Sequence, residues 1–440
     1  MERYSINRRA FARQAGIAAG LGLTPMWAQQ RTSPNDRIRM GFIGVGEMGS
    51  ANLQDMVRTG QIDVVAIADP YRPHLERALS SVPGKAKGYK DFRKIIDDPN
   101  IDAVCVSTPE HWHAIPTIMA CDAGKDVYVE KPLSHTVHEG QRMVEAAKRR
   151  NRIVQVGTQQ RSGAHFQKAV EMVRSGALGK VMRVDTWNNW NRPVDWLGAP
   201  PDSDPPEWLD WDLWLGPAPY HGYNVNRCIS NFRWFWDYAN GMLGDWGVHL
   251  LDIVHWAMEV KTPKTVSFAG GKWVFNNNTE TPDTFEVQYV YPQSPVSARE
   301  FLVTFSCRFV NSHSEGGRTH GIQFFGTEGT MLLDRGGFTV WPEPDRSGGE
   351  PVAAKGPIQS GSSAQHYPHV LNFLECVRSR KQPRSDIETM YYSTLAPLIG
   401  VVSQKVGRRL TWDAEHHRFA GDDEANKYLT KAYRKPWNVA

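Results

Sequence analysis

The sequence predicts an α/β protein: an N-terminal doubly wound parallel sheet, then a C-terminal α+β domain with a large, mostly antiparallel sheet. Three observations predict it. Apolar strand-like runs alternate with amphipathic helical stretches from residue 38 to about 157, and such alternation builds a parallel sheet with crossover helices. A glycine turn, Gly44-x-Gly46-x-x-Gly49, joins the first strand to the first helix. Beyond about residue 160 the pattern changes to aromatic-rich segments, then to alternating strands separated by turn glycines, as in an antiparallel sheet.

The first strand is read from Ile38 to Ile43, and Leu53 and Met56 recur at helical spacing after the glycines. Gly44 permits the tight turn, Gly46 lets backbone approach a pyrophosphate, and Gly49 lets helix pack on strand. A strand before and a helix after give the motif its Rossmann context. The helix N-terminus, with Glu47 and Met48, presents free N–H groups to phosphates. "DVVAIAD" is the second strand and ends in Asp69, 25 residues after Gly44, near the roughly 20 expected of the acid on an adenosine ribose. Its charge repels a 2′-phosphate, so NAD is expected; Arg72 keeps NADP open. Asp69 reads equally well as a helix N-cap before Pro70.

The alternation continues through "DAVCVST", a helix "AIPTIMACDAG" closed by Gly124, the strand "DVYVEKP", a helix "VHEGQRMVEAAKRR" and the strand "RIVQVG". Ligands on such sheets bind beyond the carboxyl ends of the strands. Ser107, Thr108, Pro109, His113, Glu130 and Lys131 fall there.

At 440 residues two domains are expected, placed at 37–160 and 161–440. Composition is globular, with 40% hydrophobic and 22% charged residues. Of the net charge of +4, +3 sits in the first thirty residues, which leaves no basic face for nucleic acid. Five scattered cysteines without a CxxC argue against a disulfide framework or a cysteine zinc site. Residues 1–30 carry Arg8-Arg9, Phe11 and a short apolar run. They read as a twin-arginine export signal, hence a periplasmic or otherwise exported protein. The run is too short for a mature membrane anchor.

The segments "GFIGVGEMG", "STPEHWHA", "VYVEKPLS" and "GMLGDWGVHLLD", in this order, resemble the Gfo/Idh/MocA oxidoreductases. The likeness covers most of the chain after residue 36. "NFLECVRSRKQP" and "GRRLTWD" look like exported members of the group. The resemblance implies that Lys131, as the lysine of Glu-Lys-Pro, and Asp245 with His249, as the Asp-x-x-x-His pair, are catalytic. It places Gly44, Gly46, Gly49 and Asp69 at the cofactor. It sets Ser107, Thr108, Pro109 and His113 along the nicotinamide, with Glu130 near its ribose. It also implies a cis Lys131-Pro132 bond, which proline tolerates, and a homo-oligomer, dimer or tetramer, associating through the C-terminal sheet.

Alcohol oxidation needs a base for the hydroxyl proton, a donor to the developing oxygen charge, and a carbinol hydrogen facing the nicotinamide. His249 suits the base. Asp245, four residues before it, shares its helix face and can hold the imidazole or a sugar hydroxyl. Lys131 suits the donor. The bland alternative for the pair is a surface salt bridge. A metal site is not expected: His255 lies about 600° around the helix from His249, and His113 belongs to the cofactor segment.

Ten of the sixteen tryptophans lie from Trp187 to Trp256, interleaved with Asn, Asp and Arg. Such faces suit a sugar ring, or else core packing. Arg233, Trp236 and Tyr238 are the pocket candidates, because they precede the Asp245 motif. "EPDRSGGEPVAAKGPIQSGSSA" reads as a loop, and "HVLNFLECVRS" and "STLAPLIGVVSQKVG" as helices returning to the first domain. The expected function is an NAD(P)-dependent carbohydrate oxidoreductase with a small-molecule sugar or polyol substrate. Its cofactor is tightly bound and recycled in place by a second carbonyl substrate. The alternatives are a redox-neutral NAD-dependent glycosidase and a non-catalytic sugar-binding protein.

Overall fold

A computed structural model describes residues 36–344 and 357–439. The signal segment 1–30 and most of the glycine-rich loop lie outside the described residues. Strands β1 (Ile38–Ile43), β2 (Ile62–Ala68), β3 (Lys87–Tyr89), β4 (Ala103–Val106), β5 (Asp126–Val129) and β6 (Val154–Val156) form one parallel sheet in the order β3-β2-β1-β4-β5-β6. The order reverses between β1 and β4, the switch point at which such sheets hold dinucleotides. β4 and β5 are buried at every residue, as helices on both faces require.

The crossovers carry helices α1 (Glu47–Arg58), α2 (Arg72–Ser81), α3 (Arg93–Ile96), α4 (Ala114–Asp122) and α5 (Val137–Arg149). In α5, Thr136 and Glu139 form a reciprocal capping box, and Lys148 and Arg149 complement the last turn. The short β3 and α3 escape the sequence reading because three or four residues carry no periodicity.

The second sheet has ten strands. Beside β7 (Val181–Asn189) stand β8 (Thr265–Gly271), β9 (Thr284–Tyr291), β10 (Phe301–Arg308), β11 (His320–Gly326), β12 (Gly329–Asp334), β13 (Gly337–Pro342), β14 (Ile358–Gly361), β15 (Leu410–Asp413) and β16 (Arg418–Phe419). Their order is β14-β13-β12-β11-β7-β10-β9-β8-β15-β16. Every pairing is antiparallel except β7 with β10. Two expectations are corrected here. "RVDTWNNW" is the central strand β7, and Trp187 lies 1% exposed beneath it, its indole N–H donating to the Arg318 carbonyl at 2.8 Å. "IQSG", read as loop, is the edge strand β14; its polar residues show no alternation because an edge strand has little to bury.

Helices α6 (Ala164–Arg174), α7 (Trp211–Leu215), α8 (Val248–Met258), α9 (His366–Ser379) and α10 (Ile387–Val406) complete the frame. One continuous set of buried apolar side chains takes in Val104 and Val129 of the first sheet and Tyr289 and Phe305 of the second. A second set joins Phe42, Leu53 and Tyr128 to Val370 and Phe373 of α9, which thus packs on the first sheet. A buried ion pair fixes the helices beyond residue 160: Arg161 meets Asp252 of α8 through Nε and Nη2, at 2.9 and 2.7 Å, and Asp252 also accepts from Ser393 of α10.

Candidate active site

A cleft of about 430 Å³ opens at the carboxyl ends of β1, β2, β4 and β5. Its phosphate end is the glycine turn. Gly44 has φ +79°, and a β-carbon there would fall 2.8 Å from the Ser107 carbonyl. A β-carbon on Gly49 would fall 2.2 Å from the Gly44 carbonyl, so Gly49 lets α1 lie against the turn and does not line the cleft. A β-carbon on Gly46 would meet only the His74 ring, at 3.4 Å. The protein's own packing leaves that position open, so a glycine there serves what enters the cleft. Gly46 precedes α1, and no side chain caps that end. Gly44, Gly46, Glu47 and Met48 line the cleft beside it, which is a ready anion cradle.

Asp69 lines the cleft but does not cap α2, whose N-cap is Tyr71. Its carboxylate accepts from Val45 N–H and Tyr71 N–H, each at 2.9 Å, tying the glycine turn to the end of β2. Arg72 points elsewhere, 3.8 Å from Glu76; His74 and Arg77, unnoticed in the sequence, stand on the wall instead.

Ser107, Thr108, Pro109, His113, Glu130 and Lys131 line the opposite wall. The buried Thr108 hydroxyl has no partner among the described residues. An orphan polar atom beside an uncapped helix end fits a polar dinucleotide, so the residues present suit that group. His113 braces the wall: its ring nitrogens lie 2.7 Å from the Pro132 carbonyl and 2.9 Å from that of Thr108. The Lys131-Pro132 bond is cis. Glu130 is buried, accepting from Asn52 at 3.0 Å and Gln159 at 3.1 Å, and burial raises its pKa. Asn52 in turn meets His366 of α9 at 2.9 Å, and His366 pairs with Asp55.

Lys131 Nζ reaches Asp245 Oδ1 at 2.5 Å and its carbonyl at 3.1 Å. Arg233 Nε stands 3.3 Å from Asp245 Oδ2. Burial alone would raise the Asp245 carboxyl, but the Lys131 and Arg233 charges outweigh it and hold the group far below the usual range. Leu243–Gly247 is a π turn leading into α8. Its i→i+5 bonding breaks the α-helical register that would put Asp245 and His249 on one face. Of the two roles the sequence left open for Asp245, holding the imidazole or a sugar hydroxyl, the first is not formed: both its oxygens face cations. His249, expected at the site, does not line the cleft: it is 5% exposed, its ring 6.1 Å from Trp246 and its Nδ1 without a partner among the described residues. Burial, then Lys131 and Arg335, push its pKa well below normal, so it is neutral at pH 7.

Arg233 lines the cleft; Trp236 and Tyr238 do not, which corrects the expectation for both. Tyr238 is fully buried, edge-on to Trp214 at 4.9 Å, and its carbonyl accepts from His111 N–H at 3.0 Å. Trp236 donates its backbone N–H to Glu280 at 2.9 Å. Trp112 and Trp214 are the tryptophans on the wall. The sequence reading also passed over Glu110, a buried carboxyl on that wall; its place inside the quoted "STPEHWH" was the available signal. Among the described residues no group of three or more His, Cys, Asp or Glu side chains could hold a metal ion, and no helix is long and apolar enough to cross a membrane.

Comparison with known proteins adds the following. Residues 38–158 match the model of an oxidoreductase family with an NAD-binding Rossmann fold (Gfo/Idh/MocA). Residues 162–270 and 361–439 match that family's C-terminal alpha/beta domain. Myo-inositol 2-dehydrogenase of Thermotoga maritima is 32% identical over 162 residues, 36% of this chain and 48% of that protein. A glycosyl hydrolase family 109 protein of Shewanella sp. (strain W3-18-1) is 27% identical over 206 residues, 41% of this chain and 45% of that protein. The chain spans about half the length of the curated relatives it matches. The structure of levoglucosan dehydrogenase with NADH and levoglucosan superposes with TM-score 0.64 over 85% of this chain and 99% of that one. At 19% identity that likeness is one of fold.

Proposed function

The chain belongs to the Gfo/Idh/MocA oxidoreductase family, and from that premise we propose that it transfers hydride between a secondary alcohol of a sugar, glycoside or polyol and NAD. The observation that carries this reading is the Lys131–Asp245–Arg233 cluster on the wall of the cleft that begins at the glycine turn. The turn and the N-terminus of α1 hold the phosphates, Asp69 the adenosine ribose, and the Thr108 and Glu130 wall the nicotinamide half. The bound nicotinamide supplies the hydride acceptor. Lys131, fixed by Asp245, donates to the reacting oxygen, and Arg233 keeps Asp245 ionised and orients a neighbouring hydroxyl. His249 lies off the cleft wall, and the burial and the Lys131 and Arg335 charges that keep it neutral oppose the cation a base must become, so it is not assigned the hydroxyl proton. The relatives' names support the substrate class: one acts on myo-inositol, and a structural neighbour holds levoglucosan with NADH.

The test uses purified protein. Denaturation releases any bound nicotinamide for identification by mass. In parallel, reduced-cofactor absorbance is followed while glycosides, polyols and ketoses are added. Reduction by one sugar and reoxidation by another supports a tightly bound, internally recycled NAD. No cofactor and no change with added NAD or NADP defeats the reading. A redox-neutral glycosidase is the second reading, favoured by the relative of glycosyl hydrolase family 109; reducing-sugar release without a second substrate would establish it. Export through Arg8-Arg9 is part of the proposal and rests on those residues. Periplasmic recovery abolished by Arg8→Lys with Arg9→Lys tests it. Association into dimers or tetramers is tested by sedimentation.

A further inference from the structure

Among the carboxyls that line the cleft, two stand in opposite circumstances. Asp245 has both cations. Glu110, in the turn after β4, has none: its Oε2 accepts the Asn240 N–H at 3.2 Å, and no ion pair to it exists among the described residues. It is 4% exposed and yet lines the cleft. A β-carbon on Gly244 would lie 3.5 Å from Glu110 Oε2, so this carboxyl abuts the turn that carries Asp245. In a buried site the Asp245 charge disfavours a second anion on the neighbouring turn, and the carboxyl without a cation of its own keeps its proton.

We propose that Glu110 is a neutral acid of the cleft, a carboxylic acid that keeps its proton at pH 7 and donates it in a hydrogen bond to a substrate oxygen beside the reacting one. This rests on the oxidoreductase reading for its substrate, but not for the state of the acid. The assignment makes the site two-handed. Lys131 and Arg233 present charged donors around an ionised Asp245, and Glu110 adds a neutral donor that rejects a substrate carboxylate less strongly than an ionised one would. The groups facing Glu110 agree: burial first, then the Asp245 charge, raise its pKa to about 8, while Lys131, the Asn240 N–H and Arg233 pull it back only in part.

The first experiment needs no substrate. Infrared difference spectra of purified protein between pH 6 and pH 9.5 should contain the carbonyl stretch of one protonated carboxylic acid, lost with a midpoint near pH 8 and absent from Glu110→Gln. Identical spectra from the two proteins overturn the proposal. If the Gln variant does not fold, Glu110→Asp must displace the same band; an unmoved band is equally fatal. The second experiment uses whichever sugar the wild type turns over. kcat/KM should fall above pH 8, Glu110→Gln should lose that alkaline limb, and Glu110→Leu should lower kcat/KM at pH 7 more than Glu110→Gln, chiefly through KM. A limb retained in the Gln variant belongs to another group and refutes the donor role. No turnover of any sugar by wild type defeats the oxidoreductase reading and leaves the infrared titration to decide the acid.

Discussion

Removing the charge of Asp245 should cost far more stability than removing that of Lys131. At an effective dielectric of about 20, contacts of 2.5 and 3.3 Å correspond to gross attractions of about 7 and 5 kcal/mol, most of which desolvation offsets. Lys131→Met leaves Asp245 with Arg233, whereas Asp245→Asn leaves two cations facing each other in a largely buried site. Breaking a buried pair costs ~3–5 kcal/mol, which we assign to Asp245→Asn; Lys131→Met should cost ~1–2 kcal/mol by the same rule, because one cation remains. The double variant should recover ~2 kcal/mol relative to the sum of the singles. Urea unfolding of all four proteins at pH 7 measures these terms. The pH dependence carries a second check. The native Asp245 pKa is lowered, so its stabilisation is present above the unfolded value near pH 4 and is lost as pH falls below it; Asp245→Asn should flatten that acid limb. Equal single effects that add without coupling would refute the reasoning.

Further outcomes follow from the same geometry. Gly49→Ala should cost ~1–3 kcal/mol and abolish nucleotide binding, seen by thermal unfolding and fluorescence titration, because its β-carbon meets the Gly44 carbonyl. Asp69→Ala should weaken NAD binding about tenfold and narrow its advantage over NADP, since the Val45 N–H loses its acceptor; unchanged selectivity would remove Asp69 from the ribose. Arg161→Met should cost ~3–5 kcal/mol by leaving the Asp252 carboxylate buried without a cation. Burial lowers the native His255 pKa to about 4, so stability present above pH 6.5 should fall by about 3 kcal/mol as pH drops from 6.5 to 4. His255→Gln should remove that part of the profile.

The cofactor half of the site was legible because its signals are local. A φ near +80° at Gly44 and the close approach at Gly49 are properties of a turn and its two neighbours. The second half was less so. Trp187 and Asn188 look like a sugar platform, and only strands far away in sequence make them the middle of a sheet. The π turn at Leu243–Gly247 depends on how α8 meets the cleft, so spacing could not tell that Asp245 turns both oxygens to cations while His249 stands off the cleft wall. Glu110 stands in plain view inside a quoted motif, yet its character is set by the cations Asp245 takes and Glu110 lacks. Partners of that kind leave no trace in spacing.

The His366 side chain closes the link from Asp55 and Asn52 to Glu130, and it lies 314 residues after Asn52. The last strand of the nucleotide lobe, β6, ends at Val156, so at a synthesis rate of about 5–20 residues per second the lobe waits ~10–40 s for the residue that completes its buried polar chain. Throughout that interval Asn52 and Glu130 are solvated from one side, and the groove that α9 will cover, around Phe42 and Leu53, is bare. The nascent lobe thus keeps that seam uncovered until α9 has left the ribosome. A stop codon placed before α9 would release a lobe with its full set of parallel strands and an open seam.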